Sequence, residues 1–269
     1  MKTNSSLPIE TDRRQRYLRE FLMESGYHVI LAETSPELDL ISVSSKENHN
    51  KILVLLPIPA SSFLLEQLRE SLTPQHIVLG GNLPEDFTSF CNNQKIAYID
   101  YFKYPAIATE NAVATAEGAI CEAIQASEFN LHQSQVLVIG FGKCGEILAD
   151  KLAGLKCQVS ISTRDTMAKA RAKAYGYQLL NTPSYSHFDI LFNTAPALVI
   201  DPTVIDQLKP DSIIIDIASK PGGTDFNYCA QKGITAKLCS GIPGKYSPKT
   251  SAQILFDQIQ EKIACIANS

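Results

Sequence analysis

"VLVIGFGKCGEILADKLAGLKCQVSISTRD" runs from Val136 to Asp165 and carries the pattern that decides the fold. An apolar run, VLVIG, leads straight into Gly140, Gly142 and Gly145, spaced G-x-G-x-x-G, and these open a helical stretch, EILADKLAG. In that context Gly140 permits the tight turn, Gly142 lets a pyrophosphate approach the backbone, and Gly145 lets helix and strand pack together. The helix N-terminus adds free N–H groups and partial positive charge. Gly140, Phe141, Gly142, Lys143, Cys144 and Gly145 are therefore the candidate cofactor contacts. A bare fingerprint is weak, and a glycine-rich packing turn is the competing reading. Here strand, helix and following strand are in register, which favours a nucleotide site.

The second strand of this unit, QVSIS, ends at Ser162 or Thr163, with Arg164 next, about where an NAD-binding domain keeps the acid that accepts bonds from the ribose hydroxyls. Thr163 is neutral, and Arg164 can donate a charge-assisted pair to phosphate oxygens, so the stretch favours NADP over NAD. Asp165 competes, because a shift of one residue restores the acid, and Arg164 as a solvated turn residue is the bland alternative. Further on, FNTAP ends another strand; Asn193, Thr194 and Pro196 are expected to turn beneath a nicotinamide ribose, an ordinary strand-to-loop stop being the alternative.

The same alternation of apolar runs and helical segments extends in both directions. Upstream of residue 105 lie YHVILA, LDLISV, KILVLLP, HIVLGG and IAYIDY, interleaved with RRQRYLREFLMES and SSFLLEQLRES; downstream lie FDILFNT, SIIIDIA and TAKLC. Such runs predict parallel sheets covered by helices. TENAVATAEGAICEAIQAS, with Ala112, Ala116, Ala119 and Ala123 at helical spacing, predicts a tightly packed connecting helix. The expected organisation is two Rossmann-like, doubly wound α/β domains with a cleft between them. Residues 1–108 and a returning C-terminal helix 249–269 form the first, 109–128 connect, and 129–248 form the NADP-binding second.

Of 269 residues 45% are hydrophobic, and the net charge is −4. A broad basic surface for nucleic acid is not expected. The N-terminus lacks an apolar signal core and no stretch reaches the roughly eighteen apolar residues of a membrane span, so a cytoplasmic protein is expected. Seven cysteines form no C-x-x-C pair and read as reduced, mostly buried residues. The five histidines, His28, His49, His76, His132 and His187, show no metal-ligand spacing, and no metal is expected. None follows SIIIDIA, where a two-domain 2-hydroxyacid dehydrogenase is expected to keep its proton-accepting histidine.

Two blocks, DIASKPGGTDF (Asp216 to Phe226) and GIPGKYSPKTSAQIL (Gly241 to Leu255), together with ATAEGAI (Ala114 to Ile120) and GFGKCG, resemble the dipicolinate synthase family of spore-forming bacteria, in its A-type subunit, over nearly the whole chain. The resemblance implies the formate/glycerate dehydrogenase arrangement of two domains. It also implies NADP-dependent oxidation of a dihydrodipicolinate-type intermediate, derived from the lysine pathway, to pyridine-2,6-dicarboxylate. The flavoprotein-like B-type subunit of dipicolinate synthase is the implied partner, and the mother cell during sporulation the implied setting; a homo-oligomer is also expected. One departure stands out. Where family members usually carry a Gly-Gly-Asp-x-Arg-like first turn, IETDRRQ keeps Asp12 but has Glu10 and Thr11 in place of the glycines. Glu and Thr do not replace glycine at positive φ, so this turn is not expected to bind a second nucleotide.

Because the product is aromatic, loss of hydride is downhill and positioning outweighs acid–base help. Donors able to hold a small dicarboxylate are Ser61 and Ser62, Gly81 within LGGN, Thr115, and Lys220 with Gly222, Gly223 and Thr224. Lys220 and Glu117 are the candidate catalytic groups, although Lys220 reads nearly as well as a solvated loop lysine. Asp225 is expected to cap a helix starting near Phe226. Arg13 and Arg14 read as exposed helix arginines. Tyr246 and Lys249 either line the cleft or lock the returning helix. Two other readings remain open: an NADP-binding regulatory protein without turnover, and a 2-hydroxyacid-type dehydrogenase.

Overall fold

The computed structural model describes residues 13–32, 41, 51–180 and 184–267. The turn at Glu10, Thr11 and Asp12 lies outside them, as does most of LDLISV. The chain divides into two compact units, one of Met1–Ala108 with Ser247–Ser269, the other of Thr109–Tyr246.

In the first unit, α1 (Arg13–Glu24), β1 (His28–Leu31), β2 (Ile52–Leu55), α2 (Ser62–Ser71), β3 (His76–Gly80), α3 (Glu85–Asn93) and β4 (Ala97–Asp100) follow in order. The strands form a parallel sheet in the order β1-β2-β3-β4. β2 and β3 are buried at every position, because helices cover both faces of a parallel sheet. Residue parity assigns the faces: Val29, Leu31, Leu53, Leu55, Ile77 and Leu79 share a core with Leu18 and Leu22 of α1. Ile30, Ile52, Val54 and Val78 share the opposite core with Leu65 and Leu68 of α2 and Phe87 and Cys91 of α3. The final helix of the chain (Pro248–Ala267) joins the first of these cores through Ala252, Leu255, Ile259 and Ile263, one stripe at three- to four-residue spacing. Its Phe256 meets Phe21 of α1 edge to face at 6.1 Å. The exposed-arginine reading fails at Arg14. It is buried, as is Gln15, since both lie on the face of α1 that carries Leu18 and Leu22.

The second unit holds the long helix α4 (Pro105–Ala126) from Thr109 onward, then β5 (Gln135–Ile139), α5 (Lys143–Gly154), β6 (Gln158–Ser162), α6 (Thr166–Ala174), β7 (Gln178–Leu179) and β8 (Ile190–Asn193). After these come α7 (Pro202–Ile205), β9 (Ile213–Asp216), α8 (Phe226–Lys232), β10 (Thr235–Leu238) and α9 (Ile242–Tyr246); the last helix, α10 (Pro248–Ala267), belongs to the first unit. α4 starts four residues before the alanine-rich stretch, where Pro105 supplies a φ already suited to a first helical turn. Its Ala112, Ala116, Ala119 and Ala123 are all fully buried. The sheet is wholly parallel, in the order β10-β9-β8-β5-β6-β7. Chain order therefore reverses direction at β5, and ligands of open α/β sheets bind beyond the carboxyl ends of the strands at such a switch point.

Candidate functional site

The glycine turn sits at the carboxyl end of β5. Gly140 has φ +91, and a Cβ there would lie 2.2 Å from Thr194 Oγ1. A Cβ on Gly145 would lie 2.3 Å from the Gly140 carbonyl oxygen, so only glycine lets α5 approach β5 this closely. Gly142 is the reverse: it is the N-cap of α5, no side chain caps that helix, and nothing lies within 4 Å of an added Cβ. An open approach to an uncapped helix N-terminus is what a pyrophosphate needs. Phe141 turns into the core, where its ring meets those of Tyr175 and Tyr177 at 6.4 and 5.8 Å. Its carbonyl accepts a bond from Arg171 Nη2 at 3.1 Å, and Arg171 also pairs with Glu146 in the first turn of α5. Lys143 is exposed. Burial pushes the Cys144 thiol up, so it is a neutral thiol at the working pH.

A cleft of about 620 Å³ opens beside this turn, lined by Gly140, by Ser162 to Asp165 at the end of β6, and by the loop after β8 with Ala195, Ala197 and Leu198. Arg164 is exposed there and makes no ion pair among the described residues. Asp165, the competing acid, is the N-cap of α6 and accepts a bond from the Ala168 amide at 2.6 Å.

The loops beyond β8 and β9 are built differently from their sequence reading. Asn193 is fully buried and clamps Ala195 from both sides: its Oδ1 accepts from the Ala195 amide and its Nδ2 donates to the Ala195 carbonyl, each at 3.0 Å. Thr194 donates its hydroxyl to the Ile139 carbonyl at 3.0 Å, and Pro196 is exposed. These side chains shape the turn, and their donors are committed to backbone. At the end of β9 the fully buried Asp216 accepts bonds from the amides of Ala218 (3.0 Å) and Gly223 (2.8 Å) and from the Thr224 hydroxyl (2.7 Å). Gly222 donates its amide to the Ser219 carbonyl. The donors expected to hold a substrate carboxylate at Gly222, Gly223 and Thr224 thus close the loop on itself, while Lys220 stays exposed. Asp225 caps α8 through the Tyr228 amide.

The remaining substrate and catalytic candidates are spread over both units. Thr115 donates to the Asn111 carbonyl of its own helix at 2.9 Å, and Glu117 pairs with Lys151 at 2.9 Å on an exposed surface. Ser61 caps α2 by accepting from the Leu64 amide, with Ser62 exposed as the first helical residue. The loop containing Gly81 is held by Asp100, which accepts from the amides of Asn82, Leu83 and Phe102. Asp100 and Asp216 escaped the sequence reading, although both left a signal: each is the last residue of an otherwise apolar strand, AYID and IIID.

Glu122 escaped it too. This buried carboxylate on α4 accepts from Lys245 Nζ and the Tyr246 hydroxyl, both at 2.6 Å, and lies 3.4 Å from Lys237 Nζ. The Lys245 and Tyr246 bonds hold its carboxyl down, to about 2, and in return Lys245 is raised. Tyr246 therefore fastens α9 to α4, and Lys249 is exposed.

Comparison with known proteins places this arrangement. Residues 108–220 match the D-isomer specific 2-hydroxyacid dehydrogenase NAD binding domain. The A-type subunit of dipicolinate synthase from Bacillus subtilis (strain 168) is 33% identical over 206 residues, covering 75% of this chain and 69% of the relative. The chain belongs to the family of dipicolinate synthase A-type subunits. The crystal structure of the corresponding dipicolinate synthase protein from Bacillus halodurans superposes with a TM-score of 0.72 at 25% identity, over 89% of this chain and 98% of that one. At 13% identity, the apo-structure of D-lactate dehydrogenase from Escherichia coli shares the fold, with a TM-score of 0.65 over 93% and 94% of the two chains. This member of the dipicolinate synthase family is thus an α/β protein of two parallel-sheet domains with a nicotinamide dinucleotide-binding, dehydrogenase-type second domain. Among its described residues no helix is long and apolar enough to cross a membrane.

Proposed function

We propose that this chain oxidises a dihydrodipicolinate-type intermediate to dipicolinate with NADP as acceptor. It does so with a flavoprotein-like second subunit, in the cytoplasm of the mother cell during sporulation. Kinship with the dipicolinate synthase of Bacillus subtilis supports the substrate. The observation that carries the cofactor is the end of β6: Arg164 is exposed in the cleft with Thr163 beside it, while the carboxylate of Asp165 is turned into the cap of α6.

When bound, NADP supplies the hydride acceptor. The amides that start α5 bind the pyrophosphate at the open face of Gly142, and Arg164 and Thr163 bind the 2′-phosphate. Arg171 holds the glycine turn in place through the Phe141 carbonyl. Asn193 and Thr194 fix the loop beside it through their bonds to the Ala195 and Ile139 carbonyls. Aromaticity makes loss of hydride and of its accompanying proton favourable, so the residues act by binding and orientation.

The test is NADPH formation from freshly made precursor, with and without the second subunit, together with absorbance from the aromatic product. Activity on simple 2-hydroxyacids with none on the dihydropyridine would overturn the proposal. That second reading is favoured by the domain matched at residues 108–220 and opposed by the absence of any histidine after Asp216.

A further inference from the structure

We propose that a small cavity at the carboxyl end of β10, walled by Glu122, Lys237, Ser240 and Lys245, binds a carboxylate group of the dicarboxylate substrate. The assignment rests on the function proposed above and gives it a substrate-binding group that the fold has not already consumed.

Three observations support it. The first is place. The cavity, about 270 Å³, is bounded by Leu238, Cys239 and Ser240, just past the last residues of β10. It therefore opens on the same edge of the same sheet as the glycine turn. In the strand order β10-β9-β8-β5-β6-β7, Arg164 follows β6 on one side of β5, and the cavity follows β10 on the other. A dinucleotide spreads its two halves to either side of the switch point. With the 2′-phosphate at β6, the reacting half and its substrate fall on the β8 to β10 side.

The second is charge. Two ammonium groups face one carboxylate. Glu122 stays ionised, with Lys245 and Tyr246 holding its carboxyl down to about 2. It balances one lysine and leaves one positive charge over. Asp216, whose charge also acts on Cys239, does not line the cavity, and its oxygens are taken by Ala218, Gly223 and Thr224. The Cys239 thiol is pushed up to about 11 by burial and adds no charge.

The third is availability. Lys245 is drawn tightly onto Glu122 at 2.6 Å, but Lys237 lies at 3.4 Å with its side chain 42% exposed. An ammonium has three donors, and this loose contact leaves Lys237 free to turn one to an incoming carboxylate. Ser240 adds a hydroxyl in the same wall. The bond from Tyr246 to Glu122 fixes the position of α9, so the site is formed before anything binds.

Calorimetric titration of the full chain with dipicolinate, at fixed ionic strength and saturating NADP, tests this. Wild type is expected to bind. Lys237→Gln should weaken binding about tenfold or more, as for loss of a charge-assisted contact, and Lys237→Arg should retain most of it. NADP affinity and melting temperature should stay at wild-type values. No binding by wild type, or equal affinity in wild type and Lys237→Gln, overturns the proposal. Turnover separates it from the proposed function. If wild type oxidises the dihydropyridine and Lys237→Gln does so with an unchanged KM, the cavity fails and the function stands. If dipicolinate binding depends on Lys237 but no precursor is oxidised, the cavity stands and the function fails.

Discussion

The amides that follow β5 and those that follow β3 and β9 meet opposite fates. After β9, Asp216 gathers two amides and a hydroxyl, and all three bonds are buried. After β3, Asp100 gathers the amides of Asn82 and Leu83, together with that of Phe102 just beyond its own strand, and only the Leu83 bond is buried. After β5 no side chain caps α5, and the face of Gly142 is open. Glycine-rich loops at the carboxyl ends of parallel strands look alike in sequence. What separates a loop that binds a ligand from one that is closed is whether the protein itself supplies the anion.

The largest effect that could break this comparison is expected at Asp216. Replacing it with alanine leaves three buried donors without an acceptor, and at 1–3 kcal/mol for each unsatisfied group a loss of about 4 kcal/mol is expected in urea unfolding. Asp100→Ala, whose donors are partly wet, should lose about 2 kcal/mol. Equal losses would mean that burial does not distinguish the two loops.

The glycine turn should show the reverse pattern. Gly145→Ala drives a methyl group into the Gly140 carbonyl, so a stability loss of about 3 kcal/mol is expected, as in an overpacked core. Gly142→Ala meets nothing in the protein and should leave the melting temperature unchanged while weakening NADP about tenfold or more. Normal NADP binding by Gly142→Ala would show that the pyrophosphate does not lie there.

Arg164 sharpens the comparison from the ligand side. A charge-assisted bond contributes roughly 1.5–3 kcal/mol, so Arg164→Ala should weaken NADP about tenfold to a hundredfold and leave NAD nearly unchanged. Equal losses for both would assign Arg164 to the fold or to the adenine. The smallest effect is expected next to it: Asp165→Ala removes a helix cap, costs about 1 kcal/mol in thermal unfolding, and leaves the ratio of NADP to NAD affinity where it was. A shift of that ratio toward NADP would show that Asp165 acts on the cofactor as well as on α6.

Several elements were legible because their causes are local. The runs that became β2, β3, β5, β8 and β9 are continuous β-branched and aliphatic stretches, as burial on both faces requires. The three glycines of the β5 turn could be assigned from spacing alone, and so could the cap at Asp225, since a cap acts on an amide three residues away. β7 was not legible: two residues, Gln178 and Leu179, at a sheet edge are too few to set a pattern.

By itself, then, the sequence determined two parallel α/β alternations, a dinucleotide turn after β5 and a basic residue at the end of β6, because periodicity, glycine and strand ends act over a few residues. Only the tertiary structure decided which of the polar groups at the strand ends remain available. Asp100 reaches back eighteen residues to Asn82, and Glu122 meets Lys245 across 123 residues of chain. A donor's availability depends on whether an acceptor arrives from elsewhere in the fold. Leaving a buried group unpaired costs more than most single contacts return, so the fold closes such bonds wherever it can. Pairing of this kind, and the nearer closure of Asp216 on Gly223 and Thr224, engages those donors within the fold, whereas Arg164 makes no ion pair among the described residues.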